Sequence, residues 1–424
     1  MARKKKIKIK GIVITKTTAI LMAVVLALGV VTYFVYEPFR KQVDKFFDYV
    51  FSTKNNALNT AKGENELRFH MIDVGQGDSL FIEFPDSTVM LIDTAEEGDN
   101  NDQKIINYIK SYGHETIDYF MLTHTDSDHI SHTKAIASAF VIKNAFIPNV
   151  ENKDITQTYH EAYDALLGEC GKNLKNSYEY MYIASTDPNN LFFVAFLSPW
   201  QSLYDKLNNA TIPTPKQKND VSPLIYIEYM QKRILLTGDA NIAVEDEVIN
   251  RYNNKMFENF AVGNDKINVN LSNIDILKVG HHGSAGSSGE KLLGVTRPKY
   301  SLISVGEGNN DGHPRAETIN RLKSVNSMIY TTIDNGSIQA TIKPIPPVEE
   351  TPDEEITGGV QPTSVLLADS ESQEVATIEW FFEKSNGSVG VECTQGITQK
   401  TIKTTVIIKI RKEDFLYSDG YQVA

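Results

Sequence analysis

Thr123-His124-Thr125-Asp126-Ser127-Asp128-His129 places two imidazoles and two carboxylates in the six consecutive residues from His124 to His129. The run before it, Ile117-Asp118-Tyr119-Phe120-Met121-Leu122, is rich in apolar and aromatic side chains and reads as a buried strand. Ligand-type side chains crowded at a strand end can converge on one or two cations. Taken alone, the stretch also fits a solvated polar turn, because His and Asp are common in loops. Other parts of the chain decide between the two readings.

Working outward, four strings repeat the pattern of an apolar run followed by chemistry-bearing residues. They are Ile72-Asp73-Val74-Gly75-Gln76-Gly77-Asp78-Ser79, Leu91-Ile92-Asp93-Thr94, Leu235-Leu236-Thr237-Gly238-Asp239 and Leu277-Lys278-Val279-Gly280-His281-His282-Gly283-Ser284. A weaker fifth is Gly312-His313-Pro314. Strands are predicted at 67–74, 79–84, 89–92, 117–122, 192–197, 224–229, 234–236, 274–279, 300–305 and 337–342. Helices are predicted between them at 101–112, 133–140, 156–167, 242–252 and 315–325. The mixture predicts an α/β layered domain over residues 66–344.

In this order the strings resemble the metallo-β-lactamase superfamily and, more narrowly, the hydrolase domain of ComEC-type DNA-uptake proteins. The resemblance covers residues 67–344 and rests most on DVGQGDS and VGHHGS. It implies an αβ/βα sandwich with metals held between the inner ends of its two sheets. It also implies roles. His124 and Asp126 would hold one metal, Asp128 and His129 a second, and Asp239 would bridge both. His281 or His282 would complete the second site. Asp126 stands where most of the superfamily carries His. A mid-domain ligand His has no counterpart at Leu197-Ser198-Pro199. The expected cofactor is two divalent metal ions, Mn or Zn, and the oxygen-rich first site suits Mn²⁺. Asp128 and Asp239 are the candidate catalytic residues, because two cations can activate a shared water for phosphoryl displacement.

The remaining candidates divide between chemistry and structure. Asp93 is expected to orient a ligand imidazole or to sit in a plain turn. Asp78 lines the site or caps a turn. Lys278 contacts a substrate phosphate or is merely solvated, and His313 faces the site or not. Gly75, Gly77, Gly280 and Gly283 are expected to serve tight backbone turns rather than to cradle phosphate. Asn219 and Ser222 match the family's Asn-x-x-Ser and are expected to be structural. His70 and His114 read as core or surface histidines. The family follows its motif with Gly-Gly. Here Ser131-His132 stands instead, adding bulk and a candidate extra ligand.

Composition frames the rest. The 424 residues suffice for more than one domain, and 41% hydrophobic content allows a sizeable core. A net charge of −12 argues against a general basic coat for nucleic acid. Cys170 and Cys393 form neither a metal spacing nor a disulfide framework. Residues 1–16 carry Arg3, Lys4, Lys5, Lys6, Lys8, Lys10 and Lys16 without an acid, and residues 17–36 are uncharged and apolar. That pattern predicts a basic cytoplasmic segment and one transmembrane helix over 1–36, with residues 37–424 outside the cell. A cleaved signal peptide, giving a secreted protein, is the competing reading. Residues 37–65 read as stalk and linker, 345–374 as an acidic Pro-rich linker, and 375–424 as a small β-rich module with an unknown partner. The function expected is surface hydrolysis of phosphodiesters, with DNA as substrate. The alternatives are a surface phosphoesterase for choline-phosphate or wall polymer, and a non-catalytic metal-binding adaptor.

Overall fold

A computed structural model describes residues 7–9, 12–14, 62–98, 100–152, 155–185, 191–345, 375–383 and 392–393. The expected membrane span at 17–36, nearly all of the stalk and linker at 37–65, the acidic linker beyond residue 345 and most of the module at 375–424 lie outside the described residues. Among the described residues no helix is long and apolar enough to cross a membrane. The chain divides into two units, Met1–Thr60 and Ala61–Ala424. In the first, Ile7–Ile9 and Ile12–Ile14 pair as a short antiparallel hairpin.

The second unit carries two large sheets and a small hairpin, Phe260–Val262 with Asp265–Ile267. We number the strands of the two sheets β1 Leu67–Met71, β2 Leu80–Glu83, β3 Val89–Ile92, β4 Thr116–Met121, β5 Val141–Ile147, β6 Leu174–Asn176, β7 Tyr182–Ala184, β8 Phe192–Phe196, β9 Ile225–Tyr229, β10 Lys232–Leu236, β11 Ile276–Lys278, β12 Tyr300–Ile303, β13 Met328–Thr331, β14 Ile338–Pro344, β15 Ala376–Phe382 and β16 Glu392–Cys393. The nine-stranded sheet runs β16-β15-β14-β1-β2-β3-β4-β5-β6, and the seven-stranded sheet runs β13-β12-β11-β10-β9-β8-β7. The pairs from β3 to β6 are parallel, as are those from β10 to β13.

Strand periodicity sorts the side chains into layers. Leu67, Phe69 and Met71 of β1 enter one apolar core with Ile225, Ile227 and Tyr229 of β9, so this core fills the space between the sheets. Phe81, Leu91 and Phe120 point the other way, onto Ile105 and Ile109 of helix α1 (Asn101–Ser111) and Ile136 of α2 (Thr133–Ala139). On the far side Tyr226 and Leu235 pack against Val244 and Val248 of α3 (Ile242–Asn253). Helices, sheet, sheet, helices is the four-layer metallo-β-lactamase sandwich that the resemblance implies.

The described part of the C-terminal segment enters the large sheet. β15 pairs with β14 over seven residues, from Ile338 opposite Phe382 to Pro344 opposite Ala376. Trp380 is fully buried in the inter-sheet core, beside Tyr300. The described residues of 375–424 therefore supply two strands of the large sheet, β15 and β16. Composition sets them apart because the acidic, Pro-rich stretch intervenes.

Chain direction explains where chemistry collects. β1, β3, β4, β10, β11 and β12 all finish at one edge of the sandwich, and every quoted string except Gly312-His313-Pro314 lies at the end of one of these strands.

Candidate metal centre

Asp239 is the hub. Its Oδ1 lies 3.4 Å from His129 Nε2, and its Oδ2 lies 3.9 Å from His124 Nε2, 3.6 Å from His281 Nε2 and 3.7 Å from His282 Nε2. The strings from three strand ends thus meet on one carboxylate. His282 Nε2 also approaches Asp128 Oδ2 at 3.2 Å.

The outer hydrogen bonds decide which ring nitrogens carry protons. His282 Nδ1 meets the Ser304 carbonyl at 2.9 Å, so that nitrogen donates and Nε2 is bare. His129 Nδ1 donates to Asp93 Oδ2 at 2.7 Å, with the same result. The single proton of the Thr123 hydroxyl goes to Asp93 Oδ2 at 2.7 Å. His124 Nδ1, 3.0 Å from that hydroxyl, must therefore donate to it. For His281, the Asn219 amide lies 3.3 Å from Nδ1, and its nitrogen faces Asp126 Oδ2 (3.2 Å) and the Pro215 carbonyl (2.7 Å) when oriented to satisfy both; its oxygen then faces the ring. All four imidazoles present a bare Nε2 inward.

Such an arrangement fits a divalent cation. His129 Nε2 and His282 Nε2 stand 3.3 Å apart with lone pairs facing. His124 Nε2 and Asp239 Oδ1 are buried without a hydrogen-bond partner. Atoms from Asp128, His129, Asp239 and His282 all lie within 4.8 Å of one another. Two carboxylates and two imidazoles form a ligand set for a divalent ion such as Zn²⁺ or Mn²⁺. Without an ion the cluster draws protons instead. Burial opposes charge on His129 and His282, yet Asp239 together with Asp93 or Asp78 holds both above the ordinary imidazole value. Burial likewise works against ionised Asp239, and His129 and His282 overcome it, holding the carboxyl well below its usual range.

Local backbone geometry makes this possible. Asp93, His281 and His282 adopt φ of 61°, 50° and 52°, the left-handed region that turns the chain sharply at a strand end. Asp93 accepts from the Thr123 amide, the Thr123 hydroxyl and His129, so it orients two ligands at once. Gly77 lies directly beneath the motif: a Cβ there would sit 2.1 Å from the Asp128 carbonyl oxygen. Glu245 braces the loop after His281-His282 by accepting from the Ser288 and Gly289 amides at 2.7 and 2.8 Å.

Some candidates stand elsewhere than the sequence places them. Lys278 is fully buried, ion-paired with Asp78, and donates to the Gly238 carbonyl at 3.2 Å. It lies beneath the centre rather than in the path of a substrate. Burial would lower its pKa, but Asp78 and Asp239 raise it, so the charge persists. His132 donates to the Glu96 carbonyl at 2.8 Å and so is not an extra ligand. Ser131 caps back to the Ser127 carbonyl at 2.7 Å. His313 lies over His281, ring centroids 5.3 Å apart, at the rim. Ser198 is buried and donates to or accepts from backbone only, so the mid-domain segment supplies no ligand.

A cleft of about 470 Å³ opens onto the centre, lined by Gln76, Glu96, Asp126, Asp128, Lys218 and Asp311 among others. Lys218, Glu96 and Asp311 are absent from the sequence candidates. Lys218 belongs to a short helix, Pro215–Asn219, started by a Thr214/Gln217 capping box with proline in its first turn, a signal that was readable. Its ammonium sits 2.5 Å from Asp126 Oδ1.

Residues 72–183 match the metallo-beta-lactamase superfamily. The chain is similar to the ComE operon protein 3 of Bacillus subtilis, at 28% identity over 64% of this chain and 33% of that protein. It is also similar to the Recombination protein 2 of Haemophilus influenzae, at 26% identity over 63% of this chain and 28% of that protein. The match thus spans about a third of the length of these curated relatives. Among solved structures, the metallo-beta-lactamase fold protein YhfI from Bacillus subtilis aligns with a TM-score of 0.36 at 12% identity, covering 62% of this chain and 96% of that one.

Proposed function

We propose that this chain, which carries a metallo-β-lactamase domain, is a metal-dependent phosphodiesterase that acts on DNA at the outer cell surface. The observation that carries the reading is the convergence of four bare imidazole nitrogens and the Asp128 carboxylate on Asp239, at the floor of an open cleft. DNA as substrate draws support from the curated relatives, which are named for recombination and competence. Surface placement draws on the basic flank and apolar segment at residues 1–36.

Asp128, His129, Asp239 and His282 would hold the cation. When bound, a divalent ion supplies Lewis-acid polarisation of water and of a phosphoryl oxygen. The chain's own residues do the positioning. Asp93 and the Ser304 carbonyl fix the rings of His129 and His282, so no reorganisation accompanies reaction. Asp128 is partly exposed to the cleft, and its Oδ2 lies 3.2 Å from His282 Nε2. It can therefore accept a hydrogen bond from an attacking water and aim it. Buried Lys278 compensates Asp78 beneath the centre.

A second reading, hydrolysis of small phosphoesters such as a choline-phosphate or a wall-polymer unit, is favoured by the acidic cleft wall. Glu96 and Asp311 line it, and burial together with Asp128 and Asp311 raises the Glu96 pKa. Such a wall repels a long polyanion more than a short one. The test offers the full chain, loaded with Mn²⁺ or Zn²⁺, labelled DNA, bis-p-nitrophenyl phosphate and choline-phosphate esters. Cleavage of DNA that disappears in Asp239→Ala supports the first reading. Turnover of choline-phosphate esters alone transfers the assignment to the second. Bound metal with no turnover of any substrate leaves only the adaptor role.

A further inference from the structure

The superfamily resemblance implies a second cation beside His124 and Asp126, and the geometry there is at odds with it. Among the described residues, His124, Asp126 and His281 join no group of three ligand atoms that lie mutually within 4.8 Å. Ligands about 2.1 Å from one ion stand closer together than that. Both oxygens of Asp126 are engaged by N–H donors instead. Oδ1 accepts from the Lys218 ammonium at 2.5 Å, and Oδ2 accepts from the Asn219 amide at 3.2 Å in its satisfied orientation. His124 is fully buried, and its Nε2 faces this place without a hydrogen-bond partner. The side chains of Lys218 and Asp126 are each about three-quarters buried, at 22% and 24% exposure, and both line the cleft.

We propose that the Lys218 ammonium occupies the second cation's place, so that the centre takes one divalent ion per chain and Lys218 presents the other positive charge to the substrate phosphate. An ammonium is a compact point charge on a flexible stem, suited to a phosphoryl oxygen entering from the cleft. Asp126 then serves as the anchor of Lys218 rather than as a metal ligand. This inference rests on the cation-binding part of the function proposed above and on nothing about the substrate's identity.

The test counts metal and needs no turnover. Full-length protein is incubated with excess Mn²⁺, desalted and analysed by elemental mass spectrometry and electron paramagnetic resonance. One Mn²⁺ per chain with the six-line spectrum of an isolated ion is expected. Lys218→Met frees Asp126, and a second Mn²⁺ should bind, with the spectrum changing to that of an exchange-coupled pair. Lys218→Arg keeps the charge and should keep the count at one. Asp126→Asn should also leave the count at one, which provides an arm that does not depend on the folding of the Lys218 variants. Two Mn²⁺ in the unaltered chain, a count that stays at one in Lys218→Met, or a loss of metal in Asp126→Asn would each overturn the proposal. A chain that binds one Mn²⁺ and hydrolyses nothing defeats the phosphodiesterase reading while leaving this one standing. An active enzyme with two does the reverse.

Discussion

The molecule buries histidine beside carboxylate in two places, and the two behave oppositely. Under α1, on the helix-covered face of the large sheet, His70 Nδ1 meets the Tyr108 hydroxyl at 3.1 Å and His70 Nε2 meets Glu83 at 3.1 Å. Glu83 also bonds His114 at 2.9 Å and pairs with Arg68 at 3.6 Å. Both nitrogens of His70 and both oxygens of Glu83 are used. Burial would raise the Glu83 pKa, but the hydrogen bonds from His114 and His70 and the charge of Arg68 bring it well below the usual carboxylate range. At the metal centre the outward nitrogens are just as well bonded, yet His124 Nε2 and Asp239 Oδ1 are buried without a hydrogen-bond partner and His129 Nε2 faces His282 Nε2 at 3.3 Å. The type of residue does not separate a structural network from a ligand cage. Satisfaction of the inward atoms does, because a buried polar atom without a partner costs free energy that a bound ion recovers.

The largest effect that would sharpen this contrast is expected from Asp239→Ala. It should abolish Mn²⁺ binding in a titration and lower kcat/KM on the order of 10³-fold or more, the scale of losing a principal electrostatic element at a reacting centre. The folded chain should remain, as judged by circular dichroism. Glu83→Gln should do the converse. Weakening a buried charged network costs ~3–5 kcal/mol, so the urea midpoint should fall while metal affinity and turnover of the folded fraction hold. A loss of metal binding in Glu83→Gln would break the comparison outright.

Asp93→Ala is expected to be intermediate. It leaves the ligands in place but unorients His129, and metal affinity should drop ~10–100-fold, read from the same Mn²⁺ titration. The smallest effect is a pH dependence at Glu245. Burial lifts its carboxyl from 4.5 to about 7 in the folded chain. A raised folded value contributes stability that is complete below the unfolded pKa and is lost as pH rises through the folded one. Glu245→Gln should therefore be most destabilising near pH ~5, the difference from the unaltered chain shrinking by ~1–3 kcal/mol toward pH ~8. A difference that grows with pH would sink this account.

Much of the centre was legible because its residues occupy strand ends within single strings. The His124–His129 cluster was singled out by spacing alone, whereas Asp93 and Asp239 were picked out by the resemblance of their strings to the superfamily's motifs. What was not legible depends on distance in sequence. Ser304 acts through a carbonyl that carries no residue signature, 22 positions beyond His282. Lys218 lies 92 positions from Asp126, so nothing local links them. Lys278 looked like a strand-end lysine facing solvent, but strand β11 has a neighbour on each side, and its end is roofed by the Asp78 loop. β5 is absent from the predicted strands because Lys143 and Asn144 interrupt its apolar pattern; Lys143 pairs with Asp118 and Asn144 bonds its carbonyl.

The pairing of β15 with β14 has a consequence for assembly during synthesis. β1, which joins β14 to the rest of the sheet, emerges first, yet the strand that buries Trp380 comes after β14 only beyond an acidic stretch of some thirty residues (345–374). Until it arrives, β14 offers an open edge and the inter-sheet core lacks its largest side chain. Exposed edges invite pairing between chains, and long-range strand closure is slow. A nascent chain halted before residue 376 should therefore be the form most prone to associate with its neighbours.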